Sequence, residues 1–374
     1  MPEIAPIPAL APPRTTPVTT RAIVPKRRML ALAETAASPR RTAEANTMLS
    51  EATIAEALSP RILSLILLPT EKCNFRCTYC YEDFAIGRMQ PDVVSGIKAL
   101  ITNRAPHLDR LNISWFGGEP LLARDVVLDI GHHANSVCAQ HEVAFSAGFT
   151  TNAYLLEPHL LQRFTEIQHR DFQITLDGDA EWHDKTRVTA NKGATFEKIW
   201  SNLIAYRSLA ANFAISLRLH LHQDNIESVR RLYARLHREL LDDSRFSVYF
   251  HKVSNLSAGG TIGETVLPRD RYLEAISYIT DRTNHSSKEE RPISEEHLDG
   301  YICYAAKPNS LMIRANGKIG KCTVALNDDR NNLGRLHADG TIDIENDKLR
   351  RWMSGFSDLS EQTLGCPLST LAST

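Results

Sequence analysis

The chain has 374 residues, a hydrophobic fraction of 43% and a formal net charge of −1, from 43 Lys/Arg against 44 Asp/Glu. That length predicts one or two domains with room for a buried core, and the near-zero charge argues against nucleic acid or a membrane surface as partner. The seven cysteines are an odd number. With no signal peptide or spanning helix expected, they read as thiol ligands in a reducing, cytoplasmic setting rather than as a disulfide framework.

Residues 1–58 are expected to be a Pro-rich leader. The first 50 hold eight of the 18 prolines, with seven Lys/Arg against three Asp/Glu. "APIPALAPPRTTPVTT" has neither a helical nor a strand period, which predicts a flexible tail. Its basic excess would attract an acidic partner; a solvated leader with no specific role is the simpler reading. Order begins at "RILSLILLPTEKC", where the apolar run over 62–68 suits a strand buried on both faces. Helical stretches and strands then alternate. "PDVVSGIKALITNR" precedes "LNISWFGGEP", and "DVVLDIGHHANSVCAQ" precedes "VAFSAGFTTNA". "PHLLQRFTEI" precedes "DFQITLDGD", "TFEKIWSNLIAYRSLA" precedes "FAISLRLHLHQDN", and "ESVRRLYARLHREL" precedes "FSVYFHKV". Six strands in this rhythm predict right-handed βαβ units and an α/β fold with a parallel sheet, open or curled into a barrel. Reactive groups then gather at the carboxyl ends of the strands.

"EKCNFRCTYCYEDF", residues 71–84, places Cys73, Cys77 and Cys80 just after the first of these strands. A structural zinc site needs four protein ligands, and the next cysteine, Cys138, lies inside an apparent helix, where it reads as a small core residue. Three thiols suit a four-iron cluster with one iron left open to an outside ligand. An incomplete zinc site is the alternative. Phe75 and Tyr79, between the cysteines, are placed to shield such a site from water.

This C-x3-C-x2-C motif, with an aromatic before its last cysteine, resembles the radical S-adenosylmethionine (SAM) superfamily. Three further segments follow in that family's order: "GGEP" at 117–120, "TTNA" at 150–153 and "TLDGDAEWHDKTRV" at 175–188. The last resembles the signature of the peptide- and protein-modifying branch. The resemblance implies a partial (β/α)6 TIM-type barrel over 59–285. It implies a [4Fe–4S] cluster on Cys73, Cys77 and Cys80, whose open iron is chelated by SAM. One electron then cleaves SAM to methionine and a 5′-deoxyadenosyl radical, which abstracts hydrogen from an unactivated C–H bond. It further implies SAM contacts from Tyr79, Gly117, Gly118, Glu119, Pro120, Thr151, Asn152, Ser216 and Arg218. Glu119 offers a carboxylate to the SAM ammonium.

Strand alternation points the same way for some of these. In "SLRLHLHQD", Leu217, Leu219 and Leu221 share one face and Arg218, His220 and His222 the other. The leucine face should pack outward under helices and the polar face line the lumen, where Arg218 is placed to meet the SAM carboxylate and the two histidines read as hydrogen-bonded filling. Asp177, at the carboxyl end of its strand, and Arg187, in the branch signature, are the candidate catalytic residues.

After a polar link, "DRTNHSSKEERPISEEH", the segment "SLMIRANGKIGKC" reads as a hairpin with an Asn-Gly turn at 316–317. With Cys303, Cys322 and Cys366 it resembles a truncated SPASM or twitch extension over 286–374, a small α+β unit that is cluster-binding or a lid. Ser369 stands where the next thiol of a full SPASM run would fall, so at most one auxiliary iron–sulfur cluster is expected. Its three thiols would leave an open iron or require a borrowed ligand; a hairpin lid without a cluster is the alternative. The implied function is a maturase that crosslinks a ribosomally synthesised peptide through a C–C or thioether bond. The implied partners are a precursor peptide or protein and an electron donor such as flavodoxin or ferredoxin. A peptide epimerase, a sulfatase-maturase-like oxidase and a non-catalytic iron–sulfur protein are the alternatives.

Overall fold

The computed structural model describes residues 49–254, 266–280 and 301–371. The leader before residue 49 and the polar link at 281–297 lie outside the described residues. Within the span assigned to the leader, α1 (Glu51–Leu58) forms a short helix capped by Ser50, whose hydroxyl accepts from the Thr53 amide at 3.1 Å.

The alternation read from the sequence is the order found. Strand β1 (Ile62–Leu67) is followed by the short β2 (Phe75–Cys77), α2 (Pro91–Arg104), β3 (Arg110–Trp115), α3 (Arg124–Gln140) and β4 (Ala144–Thr151). Next come α4 (Pro158–Glu166), β5 (His169–Leu176), α5 (Ala180–Thr186), β6 (Arg187–Thr189), α6 (Phe196–Tyr206), β7 (Ala214–Leu221), α7 (Ile226–Glu239), β8 (Phe246–Lys252) and α8 (Arg269–Thr280). Strands β1, β3, β4, β5, β7 and β8 pair in parallel in that spatial order. This is the expected α/β architecture of a partial barrel.

Its two faces differ as the alternation requires. Leu217, Leu219 and Leu221 are fully buried in the main core, with Phe172, Ile174 and Leu176 beside them. The inner face is polar. The Ser146 hydroxyl donates to Asn112 Oδ1 at 2.9 Å, the Tyr249 hydroxyl to Gln173 Oε1 at 2.7 Å, and Arg218 Nε to Thr175 Oγ1 at 3.0 Å. A closed barrel fills its centre with branched apolar layers; these polar tiers leave an interior able to hold a polar ligand.

The expected hairpin is β9 (Ser310–Ile313) and β10 (Lys318–Gly320), with Gly317 in the left-handed region at φ +82°. Strand β9 lies parallel to β1, Ser310 opposite Ser64, while β10, β11 (Gly334–Leu336) and β12 (Ile342–Ile344) follow antiparallel. The C-terminal strands therefore continue the barrel sheet, which has ten strands among the described residues. Helix α9 (Asn346–Trp352) and three short helices, α10 (Gly355–Asp358), α11 (Glu361–Gly365) and α12 (Pro367–Thr370), complete the extension. A separate apolar cluster there includes Cys322, Leu333 and Trp352. Among the described residues no helix is long and apolar enough to cross a membrane.

One core residue couples stability to pH. His169 is 0% exposed and lies within about 6 Å, ring to ring, of Trp115, Phe145, Phe149 and Phe164. Burial lowers its pKa to about 4, whereas the unfolded residue titrates near 6.5. The neutral form is thus the folded form, and its contribution is complete above about pH 6.5 and lost as pH falls towards 4. That difference is worth about 3 kcal/mol. Urea unfolding from pH 7 to 4 should show this fall, and His169→Phe, which has no proton to take up, should flatten that part of the profile.

Candidate active site

The three local cysteines sit on the loop after β1, and a two-stranded ribbon fixes that loop. Strand β2 pairs antiparallel with β6, Cys77 opposite Arg187, and the Cys80 amide donates to the Cys77 carbonyl at 3.1 Å. The branch-signature arginine is thereby brought to the cysteines although 110 positions separate them in sequence. All three thiols are free and partly buried. Burial raises them, Cys73 to about 12 and Cys80 to about 11, and the nearby charges of Cys77 and Cys80 add to the rise at Cys73. The Phe75 amide donates to Cys73 Sγ at 3.3 Å. Among the described residues, no three His, Cys, Asp or Glu side chains are spaced as ligands of one metal ion. A polynuclear cluster takes each cysteine on a different iron, so its thiols need not converge on one point. Three free, mutually close thiols on one loop, with an amide aimed at a sulfur, fit such a cluster.

The aromatic between the cysteines is held by charge. The Tyr79 hydroxyl donates to Asp177 Oδ1 at 2.8 Å and accepts from Arg187 Nη1 at 2.6 Å, with His220 Nδ1 at 3.1 Å. Thr186 donates to the other Asp177 oxygen at 2.7 Å. Asp177 is 0% exposed; beside its bonds to Tyr79 and Thr186, its carboxylate has His220 Nδ1 at 3.6 Å and His222 Nε2 at 4.0 Å. Burial holds His220 and His222 below the usual histidine range, hence neutral. Of the two candidate catalytic residues, both belong to this network at the ends of β5 and β7.

The GGEP turn lies against the start of the cysteine loop. Gly117 has φ +101°, and a Cβ there would stand 2.3 Å from the Thr70 carbonyl oxygen; one on Gly118 would stand 2.5 Å from that of Lys72. Only glycines allow this approach. Glu119 is 0% exposed. Its Oε1 accepts from the Leu121 amide at 3.0 Å and its Oε2 from the Asn152 amide at 2.8 Å, while the Thr151 hydroxyl reaches both oxygens. Pro120 opens the short 3-10 turn that Glu119 caps. The Glu119 carboxylate therefore joins the turn to the end of β4, and Asn152 Nδ2 carries the link on to Asn74 Oδ1 at 2.8 Å. Burial raises the Glu119 pKa, against these bonds, which lower it.

Arg218 and Ser216 face the lumen one above the other on β7. Ser216 pairs with Ser247 at 3.3 Å. Among the described residues Arg218 has no carboxylate within ion-pair distance, and its charge, after burial, lowers the His251 pKa, to about 4. In the extension, Cys303, Cys322 and Cys366 come close enough for each of the last two to raise Cys303, burial being the larger cause. The Tyr304 hydroxyl lies 2.8 Å from Thr323 Oγ1 and accepts from the Thr323 amide at 3.1 Å. Glu71, Glu82 and Arg314 had no signal in the sequence. Glu71 and Arg314 form a buried ion pair, and burial followed by the Glu71 charge raises Glu82 to about 8. No local pattern marks them, because they meet only when the C-terminal hairpin docks beside β1.

A partial parallel barrel with three thiols on its first strand-end loop and a glycine turn against them is the architecture of a radical SAM domain. Residues 67–236 match the Radical SAM superfamily, a family that uses a [4Fe–4S] cluster and SAM. The chain is 33% identical over 141 residues to a GTP 3′,8-cyclase of Microcystis aeruginosa, covering 36% of this chain and 40% of that protein. It is 28% identical over 151 residues to a cysteine-type anaerobic sulfatase-maturating enzyme of Clostridium novyi, covering 38% and 39%. The matches thus span about two fifths of the length of these relatives. The fold is similar to that of anSMEcpe with bound AdoMet and the Cp18Cys peptide, with a TM-score of 0.57, 15% identity and coverage of 78% of this chain and 80% of that one.

The Glu119 carboxylate faces only donors, so Glu119→Gln must turn an NH2 group towards an N–H or a hydroxyl. Urea unfolding should show a loss of about 1–3 kcal/mol, the cost of a buried polar group left unsatisfied.

Proposed function

We propose that the protein is a radical SAM maturase that crosslinks a ribosomally synthesised peptide, supplied with electrons by a flavodoxin- or ferredoxin-type donor. The observation that carries this reading is the second thiol triad. Cys303, Cys322 and Cys366 are scattered over 64 positions, yet electrostatically close, as a truncated twitch-type extension would require. The sulfatase-maturating relative and the peptide-bound structural neighbour support a peptide substrate.

When bound, the [4Fe–4S] cluster and SAM supply hydrogen abstraction from an unactivated C–H bond. The chain's own part is to bind and orient. Cys73, Cys77 and Cys80 hold the cluster, and the Gly117–Gly118 turn presents backbone to the SAM amine. Glu119, Thr151 and Asn152 fix that turn. Arg218, a half-buried guanidinium with no acidic partner among the described residues, is placed to take the SAM carboxylate. Tyr79 is kept rigid by Asp177 and Arg187, and the polar lumen receives the substrate.

The cyclase relative favours a second reading, a nucleotide substrate. A triphosphate calls for several unpaired cations, and Arg187 is already engaged with Tyr79 beside Asp177, which favours the peptide. Stimulation of SAM consumption by GTP would reverse that order.

Anaerobically reconstituted protein should form 5′-deoxyadenosine from SAM, and the Cys73→Ala/Cys77→Ala/Cys80→Ala variant should form none; undiminished product would refute the assignment. If the C-terminal triad holds an auxiliary cluster, the same variant should retain about four irons, with a spectrum that SAM does not alter. An iron-free variant would make the extension a lid.

A further inference from the structure

The C-terminal extension reaches back to the cysteine loop and grips both of its ends. Glu71 lies two residues before Cys73 and is 2% exposed; Arg314, just after β9, is 8% exposed. The guanidinium meets this carboxylate with two parallel bonds, Nε to Oε1 at 3.0 Å and Nη2 to Oε2 at 2.5 Å. Its remaining arm, Nη1, donates to the Leu326 carbonyl at 2.6 Å. At the far end of the loop Asn327 Nδ2 donates to Asp83 Oδ2 at 2.9 Å. The span 314–327 thus holds the residues on either side of Cys73, Cys77 and Cys80. On the barrel side the Gly117–Gly118 turn already presses on Thr70 and Lys72, so the loop entry is caught between two surfaces.

We propose that Arg314 is a positioning residue for the three thiols, setting the entry of the cysteine loop from the C-terminal extension. The inference rests on the reading that these thiols hold the [4Fe–4S] cluster. The physical reason is the cost of a buried carboxylate. Glu71 without its counter-charge must draw in water or swing out to it, and Cys73 is two residues away on the same loop. The bidentate fork adds direction to the charge, which a lysine cannot reproduce. The barrel can fold around its apolar faces without this contact; the loop cannot keep its place.

The test uses the full chain in two forms. In the metal-free protein, alkylation by iodoacetamide is followed cysteine by cysteine, with buried Cys138 in α3 reporting whether the barrel stays folded. Arg314→Met should speed alkylation of Cys73, Cys77 and Cys80 about tenfold through more frequent local opening, leaving Cys138 protected. Arg314→Lys should fall in between. In case the single variant fails to fold, Glu71→Leu/Arg314→Met removes both charges and leaves none stranded; its loop thiols should still react faster than those of the native chain. In the reconstituted protein, either variant should bind less iron and lose the change that SAM makes in the EPR signal of the reduced cluster. Native alkylation rates and a native SAM-dependent signal in the double variant would overturn the proposal. Exposure of Cys138 together with the loop thiols in that variant would overturn it too, making the pair a folding element. A native protein that binds no iron on the three thiols would instead refute the proposed function, and the metal-free alkylation rates would still report on the clamp.

Discussion

Backbone meets backbone where the turn after β3 lies on the start of the cysteine loop, and the mouth of the barrel is built on that approach. No side chain fits between Gly117 and the Thr70 carbonyl, or between Gly118 and that of Lys72. The contact fixes the height of the loop above β1. It also forces Glu119 inward, where its carboxylate takes the amides of Leu121 and Asn152. Asn152 in turn reaches Asn74, inside the cysteine motif. The ends of β1, β3 and β4 thus form one hydrogen-bonded platform.

A second platform, from β5 and β7, faces the first. The β2–β6 ribbon carries Arg187 across to the cysteines, and Tyr79 stands between that guanidinium and Asp177. Such buried charges add little net stability, because desolvation offsets most of their attraction. What they give is direction. The stability of the domain comes instead from the outer faces of the strands, where leucine, phenylalanine and tryptophan pack under the helices. Division of labour of this kind suits a site that must hold reacting groups to within a fraction of an ångström on a rigid frame.

The C-terminal extension enters this arrangement as a further set of strands rather than a loosely tethered module. Pairing of β9 with β1 puts Arg314 beside Glu71 and Tyr304 near Tyr81.

The sequence by itself determined the elements and the local motifs. Six strands, the intervening helices and the Asn-Gly turn could be read from hydrophobic period and turn chemistry, which act over a few residues. Cys73, Cys77 and Cys80 could be read because spacing within one loop is itself the signal, and the glycines at 117 and 118 from the turn that ends their strand and from their place in the order of the resembling family's motifs. The lumen side of Arg218 followed from simple alternation along β7. Tertiary structure decided the rest. That Asp177 is spent on Tyr79 and Thr186, that Glu119 is locked to β4, that β9 extends the sheet at β1, and that Arg314 answers Glu71 from 243 positions away are all pairings between distant segments. A side chain's type states what partner it needs; only the packing of the strands decides which partner arrives.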